Sequence, residues 1–225
     1  MLLSIIMPAY NEIHTIKEIV EKVMAVNLDK ELIIVDDCST DGTCTYLQSI
    51  KNNKITILYH DTNKGKGAAI RTALSYVRGD ITIIQDADLE YDPADYLNMI
   101  ELIIKDKADV VYGSRFLFRT RIFYFHHLMG NKFINLIANI LYNSTFTDLE
   151  TCYKAFRSDI IKNLNLKSNS FGFEAEVTAR IMKKKLRVYE VPITYCGRTY
   201  AEGKKITWKD GIIALYWLLR CRLTK

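Results

Sequence analysis

The sequence of 225 residues predicts a single α/β domain, residues 1–225, built on a mostly parallel sheet with helices on both faces. Three observations carry this expectation. Short apolar, β-branched runs alternate with helix-period stretches from residue 2 to about residue 112. Several of these runs stop abruptly at carboxylates, as strands do where an open parallel sheet binds its ligands. No repeat, low-complexity segment or linker divides the chain.

Residues 2–7 read as a first buried strand, broken by Pro8-Ala9-Tyr10-Asn11-Glu12. Ile13, Ile16, Ile19, Val20 and Val23 then recur at helical spacing, with Asn11 as candidate N-cap. A second strand at 32–35 ends in Asp36 and Asp37, and the turn at 39–43 opens a second helix. A third strand, 55–59, leads into Asn63-Lys64-Gly65-Lys66-Gly67 and a helix through Ala68, Ile70, Ala73, Leu74 and Val77. The fourth strand is the run from Ile81 that ends in Asp86-Ala87-Asp88-Leu89-Glu90, with a helix starting near Pro93. A fifth strand covers 109–112, followed by Gly113-Ser114-Arg115. Later come a helix from about Asn131, a helix near Ser158, a helix from 171 to about 185 and an alternating edge strand at 187–195 holding Pro192. An amphipathic helix from Trp208 to the end closes the chain.

Asp86 and Asp88 are two residues apart, so in extended chain they point the same way. Two such charges are stabilised by a hard cation, Mg²⁺ or Mn²⁺, that also grips a diphosphate. On the residues alone the pair reads equally well as solvated turn acids. The loop 198–205, rich in cations and glycine, can close on a diphosphate or simply be a solvated turn. Arg119, Arg121, His126, His127 and Lys132 lie among aromatic and aliphatic residues. The helix after them carries a stripe of Asn131, Asn135, Asn139 and Asn143 on a broad apolar surface. It is either a membrane-interface helix with the asparagines among headgroups or an ordinary packed helix.

Totals exclude several classes. The net charge of +5 does not mark a nucleic-acid binder. The five cysteines form no C-x-x-C pair and read as reduced, mostly core residues of a cytosolic protein. The histidines lack zinc spacing. No signal peptide is read at the start, and no apolar run reaches the ~20 residues that span a bilayer. The first strand is followed by P-A-Y-N-E and not G-x-G-x-x-G, against a nicotinamide-binding domain, and Gly65-Lys66-Gly67 is too short for a P-loop.

Taken together, P-A-Y-N-E (8–12), D-D-x-S-x-D-G-T (36–43), N-K-G-K-G-A-A (63–69), D-A-D-L-E-Y-x-P (86–93), G-S-R (113–115), F-x-F-E (171–174) and R-x-Y-x-E-G-K-K-I (198–206) resemble glycosyltransferase family 2. Within it they resemble the branch of dolichyl-phosphate mannosyltransferases and polyprenyl-phosphate glycosyltransferases. The resemblance covers nearly the whole chain in the family's motif order. It implies a GT-A fold and inverting transfer from a GDP- or UDP-sugar. It places Pro8, Ala9, Tyr10, Glu12, Val35 and Asp37 around the nucleotide, with Ala87 allowing close approach. It gives Asp86 and Asp88 the Mg²⁺ or Mn²⁺ ion with Glu90 helping, and Lys66, Arg115, Arg198 and Lys204 the phosphates. Asp88 and Arg115 are the expected catalytic residues.

The implied acceptor is a polyprenyl phosphate met by Arg115, Arg119 or Arg121, the enzyme resting peripherally on the cytoplasmic face of a membrane. If the acceptor is instead a glycan hydroxyl, a base is needed, with Glu174, Glu176, Asp148 and Glu150 as candidates. A nucleotide-sugar-binding scaffold is the non-enzymatic alternative, disfavoured because a scaffold has no need of paired acids. Gly203 and Glu90 depart from the Ser and Gln usual in the dolichyl enzymes, which leaves sugar and base open. Oligomeric state is not legible.

Overall fold

The structure is a computed structural model and describes residues 1–117, 125–198 and 208–224. Its strands are β1 (Leu3–Ala9), β2 (Lys30–Asp36), β3 (Ile55–Tyr59), β4 (Ile81–Ile84), β5 (Val110–Ser114), β6 (Lys154–Arg157) and β7 (Val188–Pro192). They form one sheet in the order β3-β2-β1-β4-β6-β5-β7. All run parallel except β6, which pairs antiparallel with both β4 and β5. The helices are α1 (Ile16–Ala25), α2 (Thr43–Ser49), α3 (Lys66–Leu74), α4 (Tyr96–Ile104), α5 (Phe125–Tyr142), α6 (Ser158–Lys162), α7 (Phe173–Lys183) and α8 (Trp208–Leu223).

The period-2 alternation of the strands feeds two cores. Leu3, Ile5 and Met7 of β1, with Leu32 and Ile34 of β2, face α1 and α4 through Ile16, Ile19, Met99 and Ile100. Ile6, Ile33 and Ile84 face the other way, onto Ala69, Ile70 and Ala73 of α3 and Phe173, Val177 and Ile181 of α7. Each such wholly buried aliphatic side chain contributes about 1.5–3 kcal/mol relative to exposure. Helices on both faces of a mostly parallel sheet are what the sequence predicts. A third cluster joins α5, α7 and α8 through Ile134, Ala138, Ala175, Ala179, Ala214 and Leu218.

Several expectations need correction. β6 is absent from the sequence reading, because Lys-Ala-Phe-Arg is a four-residue run with a cation at each end. Asn11 does not cap α1. It sits at φ 52° and its side-chain oxygen accepts from the Thr40 amide, while Thr15 precedes the helix. α5 starts at Phe125, ahead of Asn131. The middle of its asparagine stripe is turned inward, while Asn143 is exposed beyond the helix end. Asn135 donates to the Thr147 carbonyl and accepts from the Leu149 amide, and Asn139 donates to the Phe146 carbonyl and accepts from its amide. All five cysteines are unpaired, yet only Cys152 and Cys221 are buried, and Cys196 is exposed.

Candidate active site

The carboxyl ends of β1, β2 and β4 lie side by side, with Ala9 in register with Asp36 and the Gln85 amide bonded to the Ile6 carbonyl. Thr15 fastens the fourth strand's turn by donating to the Ala87 carbonyl at 2.9 Å. A cavity of about 1080 Å³ opens over these ends. Pro8, Ala9, Tyr10, Glu12, Asp37, Lys66, Asp86, Ala87, Asp88, Glu90, Arg115 and Arg198 all line it. Val35 does not. It is wholly buried in the core beneath α3 because it precedes the strand's end by one pleat. Glu174 is 2 % exposed and sits behind the wall. Arg119, Arg121 and Lys204 lie outside the described residues.

Asp37 builds the loop that carries Lys66. Its two oxygens accept the Lys64 amide at 2.9 Å and the Gly65 amide at 2.7 Å, and His60 meets it at 2.6 Å. Gly65 sits at φ +92°, and a Cβ there would come within 2.3 Å of the Asn169 carbonyl oxygen. Only glycine allows this turn and this approach. The loop delivers the Lys66 ammonium to 2.7 Å from Asp86 and 3.4 Å from Glu174. Behind it, Glu174 grips Lys154 of β6, which is wholly buried and also donates to the Leu149 and Thr151 carbonyls. Lys154, Glu174, Lys66 and Asp86 thus form a chain of alternating charge reaching into the cavity. Lys154 left no sequence signal, since its role depends on the unforeseen strand.

Burial alone would raise Asp86; the Lys66 charge, the hydrogen bonds from Cys152 and Lys66 and the Arg198 charge together outweigh it and keep the carboxyl below its ordinary value. Burial would lower Lys66, but Asp86 first and Glu174 also hold the ammonium well above the usual lysine range. Asp88 is different. Burial, then the charges of Asp86 and Glu90, push it up to about 8 against the opposing Arg198. Arg198 spans the acids: 2.6 Å to Asp88, 3.2 Å to Glu12 and 3.3 Å to Glu90. The Tyr195 hydroxyl donates to the other Glu90 oxygen at 2.6 Å.

Arg115 is held as a fork. Its Nε and Nη2 donate to the two oxygens of Asp148 at 2.7 and 2.6 Å, and its guanidinium stacks 5.2 Å from the Tyr195 ring centre. Glu190 of β7 in turn accepts the Thr147 and Asp148 amides. Glu150 also lines the cavity. Its Oε1 is buried without a hydrogen-bond partner among the described residues. Burial first, then the Glu174 charge, push it up to about 7, against Lys154 and Arg115.

Among the described residues no three His, Cys, Asp or Glu side chains are arranged to hold a metal ion. Glu90 in particular is turned to Tyr195 and Arg198, not toward Asp86. The donor set still suits Mg²⁺ or Mn²⁺. These ions are held by one or two carboxylates plus substrate phosphates, and the half-buried Asp86 and buried Asp88 already draw cations to them. The far side of the cavity is different in kind. It is walled by α5 and α8 through His126, His127, Gly130, Phe133, Trp208, Ile212 and Leu215.

Comparison with known proteins agrees with this geometry. Residues 4–164 match the family model "Glycosyl transferase family 2". A UDP-N-acetylglucosamine–dolichyl-phosphate N-acetylglucosaminyltransferase of Methanococcus voltae is 31% identical, covering 100% of this chain and 97% of that protein. An undecaprenyl-phosphate mannosyltransferase of Micrococcus luteus is 26% identical over 88% of this chain and 85% of its own. A Pyrococcus furiosus dolichol-phosphate mannosyltransferase is 26% identical over 91% of this chain and 59% of its own. In fold, the chain resembles glucosyl-3-phosphoglycerate synthase of Mycobacterium tuberculosis, solved with Mn²⁺, UDP and phosphoglyceric acid. The TM-score is 0.76 at 15% identity, over 99% of this chain and 79% of that one. The fold is therefore GT-A, and the chain belongs to glycosyl transferase family 2 as a glycosyltransferase.

Proposed function

We propose that this enzyme moves a sugar, with inversion, from a nucleotide-diphosphate sugar to the phosphate of a polyprenyl phosphate at the cytoplasmic face of a membrane. The observation that carries this reading is the two-ended cavity. One end offers Lys66, Arg198 and the Asp86/Asp88 pair to phosphates. The other runs between α5 and α8, whose outer surfaces expose Phe125, Phe133, Leu136, Ile140, Trp208, Ile212, Tyr216 and Leu223. An anion on a long apolar tail matches both ends. Lys132, Lys209, Arg220 and Arg222 are exposed on the same two helices and suit an anionic lipid surface. No described helix is long and apolar enough to cross a membrane, so attachment is peripheral in this reading. The names of three relatives, each acting on a dolichyl, dolichol or undecaprenyl phosphate, support the same acceptor class.

Asp86 and Asp88 hold the divalent cation in this reading, and the cation, when bound, neutralises charge on the leaving diphosphate. Lys66 and Arg198 add positive charge where that negative charge develops, which is the largest catalytic contribution such a site offers. The acceptor phosphate attacks the sugar C1 from the opposite face, near Arg115. It is ionised near neutral pH, so no strong base is required. Glu174 is unsuited to be a base, because one oxygen holds Lys154 and the other faces Lys66.

One observation favours a hydroxyl acceptor: Glu150, in the cavity wall with its Oε1 without a hydrogen-bond partner among the described residues, is pushed up to about 7, where a general base works best. The test offers purified enzyme and donor a short-chain polyprenyl phosphate, the matching polyprenol and a soluble oligosaccharide. Transfer to the phosphate alone, retained in Glu150→Gln, supports the lipid-phosphate reading. Transfer to a hydroxyl acceptor that Glu150→Gln abolishes overturns it.

A further inference from the structure

We propose that Arg198 is a built-in stand-in for the divalent cation, seated among the cation's ligands until metal and diphosphate arrive together and displace its guanidinium onto the diphosphate. The inference rests on Asp86 and Asp88 being the cation-binding pair. Four carboxylates, Glu12, Asp86, Asp88 and Glu90, share two side-chain cations in this corner of the cavity. Acids so close, all at least half-buried, repel unless a cation lies between them.

The two cations are not held alike. Lys66 is backed by Glu174, which is itself gripped by Lys154 where β6 begins beside the carboxyl end of β5, and the loop bearing it is fixed by Asp37. Arg198 contacts three carboxylates with its guanidinium, and its side chain is 20 % exposed against 11 % for Lys66. Its backbone is pinned by contacts that do not involve Asp88. The Cys196 amide donates to the Glu90 carbonyl at 2.9 Å and Tyr195 bridges to Tyr91, while the Arg198 amide donates at 2.8 Å to the Glu90 carboxylate oxygen it shares with the guanidinium. The side chain can therefore leave Asp88 while its root stays beside the site.

The consequence is thermodynamic. A metal ion alone must expel a cation that gains nothing by leaving, so it binds weakly. A nucleotide diphosphate offers Arg198 new anionic partners, so metal and nucleotide bind with positive coupling, and each raises the other's affinity by the same factor. Removing Arg198 should strengthen metal binding and weaken nucleotide binding at once, a pairing that a simple phosphate-binding arginine would not produce.

The experiment titrates Mn²⁺ into ligand-free enzyme by calorimetry, alone and with saturating UDP or GDP. It compares the parent, Arg198→Ala, Arg198→Lys, and Asp88→Asn as the control for the site. Thermal unfolding with and without Mn²⁺ is recorded for each. We expect Arg198→Ala to bind Mn²⁺ alone at least tenfold more tightly than the parent, and to regain with Mn²⁺ the thermal stability it loses without it. The gain in Mn²⁺ affinity on adding nucleotide should shrink in Arg198→Ala, with Arg198→Lys between the two. Equal Mn²⁺ affinity in parent and Arg198→Ala, abolished in both by Asp88→Asn, overturns the stand-in role while leaving the metal site in place. Failure of every variant to bind Mn²⁺, even with nucleotide, overturns both. If Arg198→Ala does not fold without Mn²⁺, Arg198→Lys decides: Mn²⁺ affinity no higher than in the parent overturns the proposal.

Discussion

Glu150→Gln should stabilise the ligand-free enzyme above neutral pH and remove part of its pH dependence. The parent carboxyl is buried with one oxygen unpartnered, near Glu174 and Asp148, and is pushed up to about 7 from an ordinary value of 4.5. The unfolded chain releases this proton near pH 4.5, whereas the native state keeps it until about pH 7. Between those values the native state binds more protons, so its stability falls as pH rises, by up to about 1.4 kcal/mol per pH unit. The contribution is fully present below pH 4.5 and gone above pH 7. Integrated over the window it reaches about 3 kcal/mol at most, and about 2 kcal/mol once the partial access of the side chain to the cavity is allowed for. An amide has nothing to ionise. Urea unfolding of parent and variant at pH 5, 6, 7 and 8 should show their stability difference moving in favour of Glu150→Gln by about 2 kcal/mol across the series. Other raised groups, among them Asp95 and Glu190, are common to both proteins and cancel in the difference. Parallel curves over this range would show that Glu150 does not carry a raised affinity for its proton.

Three further outcomes are expected. Asp88→Asn should lower turnover by about 100-fold or more, since it weakens the cation that stabilises the leaving group, and a chelator should silence the parent; full turnover in excess EDTA refutes this. Asp148→Ala should cost about 3–5 kcal/mol in urea unfolding, because it strands the buried Arg115 guanidinium; a loss below 1 kcal/mol would mean that Arg115 finds other partners. Leu136→Glu and Ile140→Glu, both on the outer face of α5, should leave turnover on a short-chain acceptor intact and each lower binding to vesicles containing phosphatidylglycerol about tenfold, as expected from losing one buried apolar side chain; unchanged co-sedimentation removes this face from the membrane.

The parallel half of the sheet was legible because its strands are short and largely apolar, and because β1, β2 and β4 end at a proline or at acids. Asp37, Lys66, Asp86, Asp88 and Arg198 reach one cavity for that reason: they lie at strand ends or in the loops beside them. What was not legible is long-range. Lys154 belongs to a strand defined only by its neighbours β4 and β5, and its burial depends on Glu174, 20 residues away. Asp148 and Glu190 were visible as acids, but their work of presenting Arg115 depends on β7 lying beside β5. Val35 illustrates the opposite error, a strand-end residue whose pleat points into the core.

The asparagines of α5 carry the larger lesson about its exposed apolar face. A polar stripe on an apolar helix reads as its wet side, and here its middle, Asn135 and Asn139, is the dry side, while Asn143 stays exposed. The chain from Ser144 to Leu149 crosses beneath α5, and its amides and carbonyls need partners that the sheet does not supply. An asparagine side chain offers both a donor and an acceptor, so Asn135 and Asn139 satisfy this segment at two points. With the middle of the polar stripe turned inward, Phe133, Leu136 and Ile140 are turned out. α8 adds Ile212, Tyr216, Leu219 and Leu223 to the exposed apolar surface. A contiguous apolar surface of this kind is costly in water and marks a docking face. The hydrogen bonds that lock α5 onto the loop before Glu150 therefore also fix which face it presents, and hold that face at the mouth of the cavity where a lipid-borne phosphate would enter.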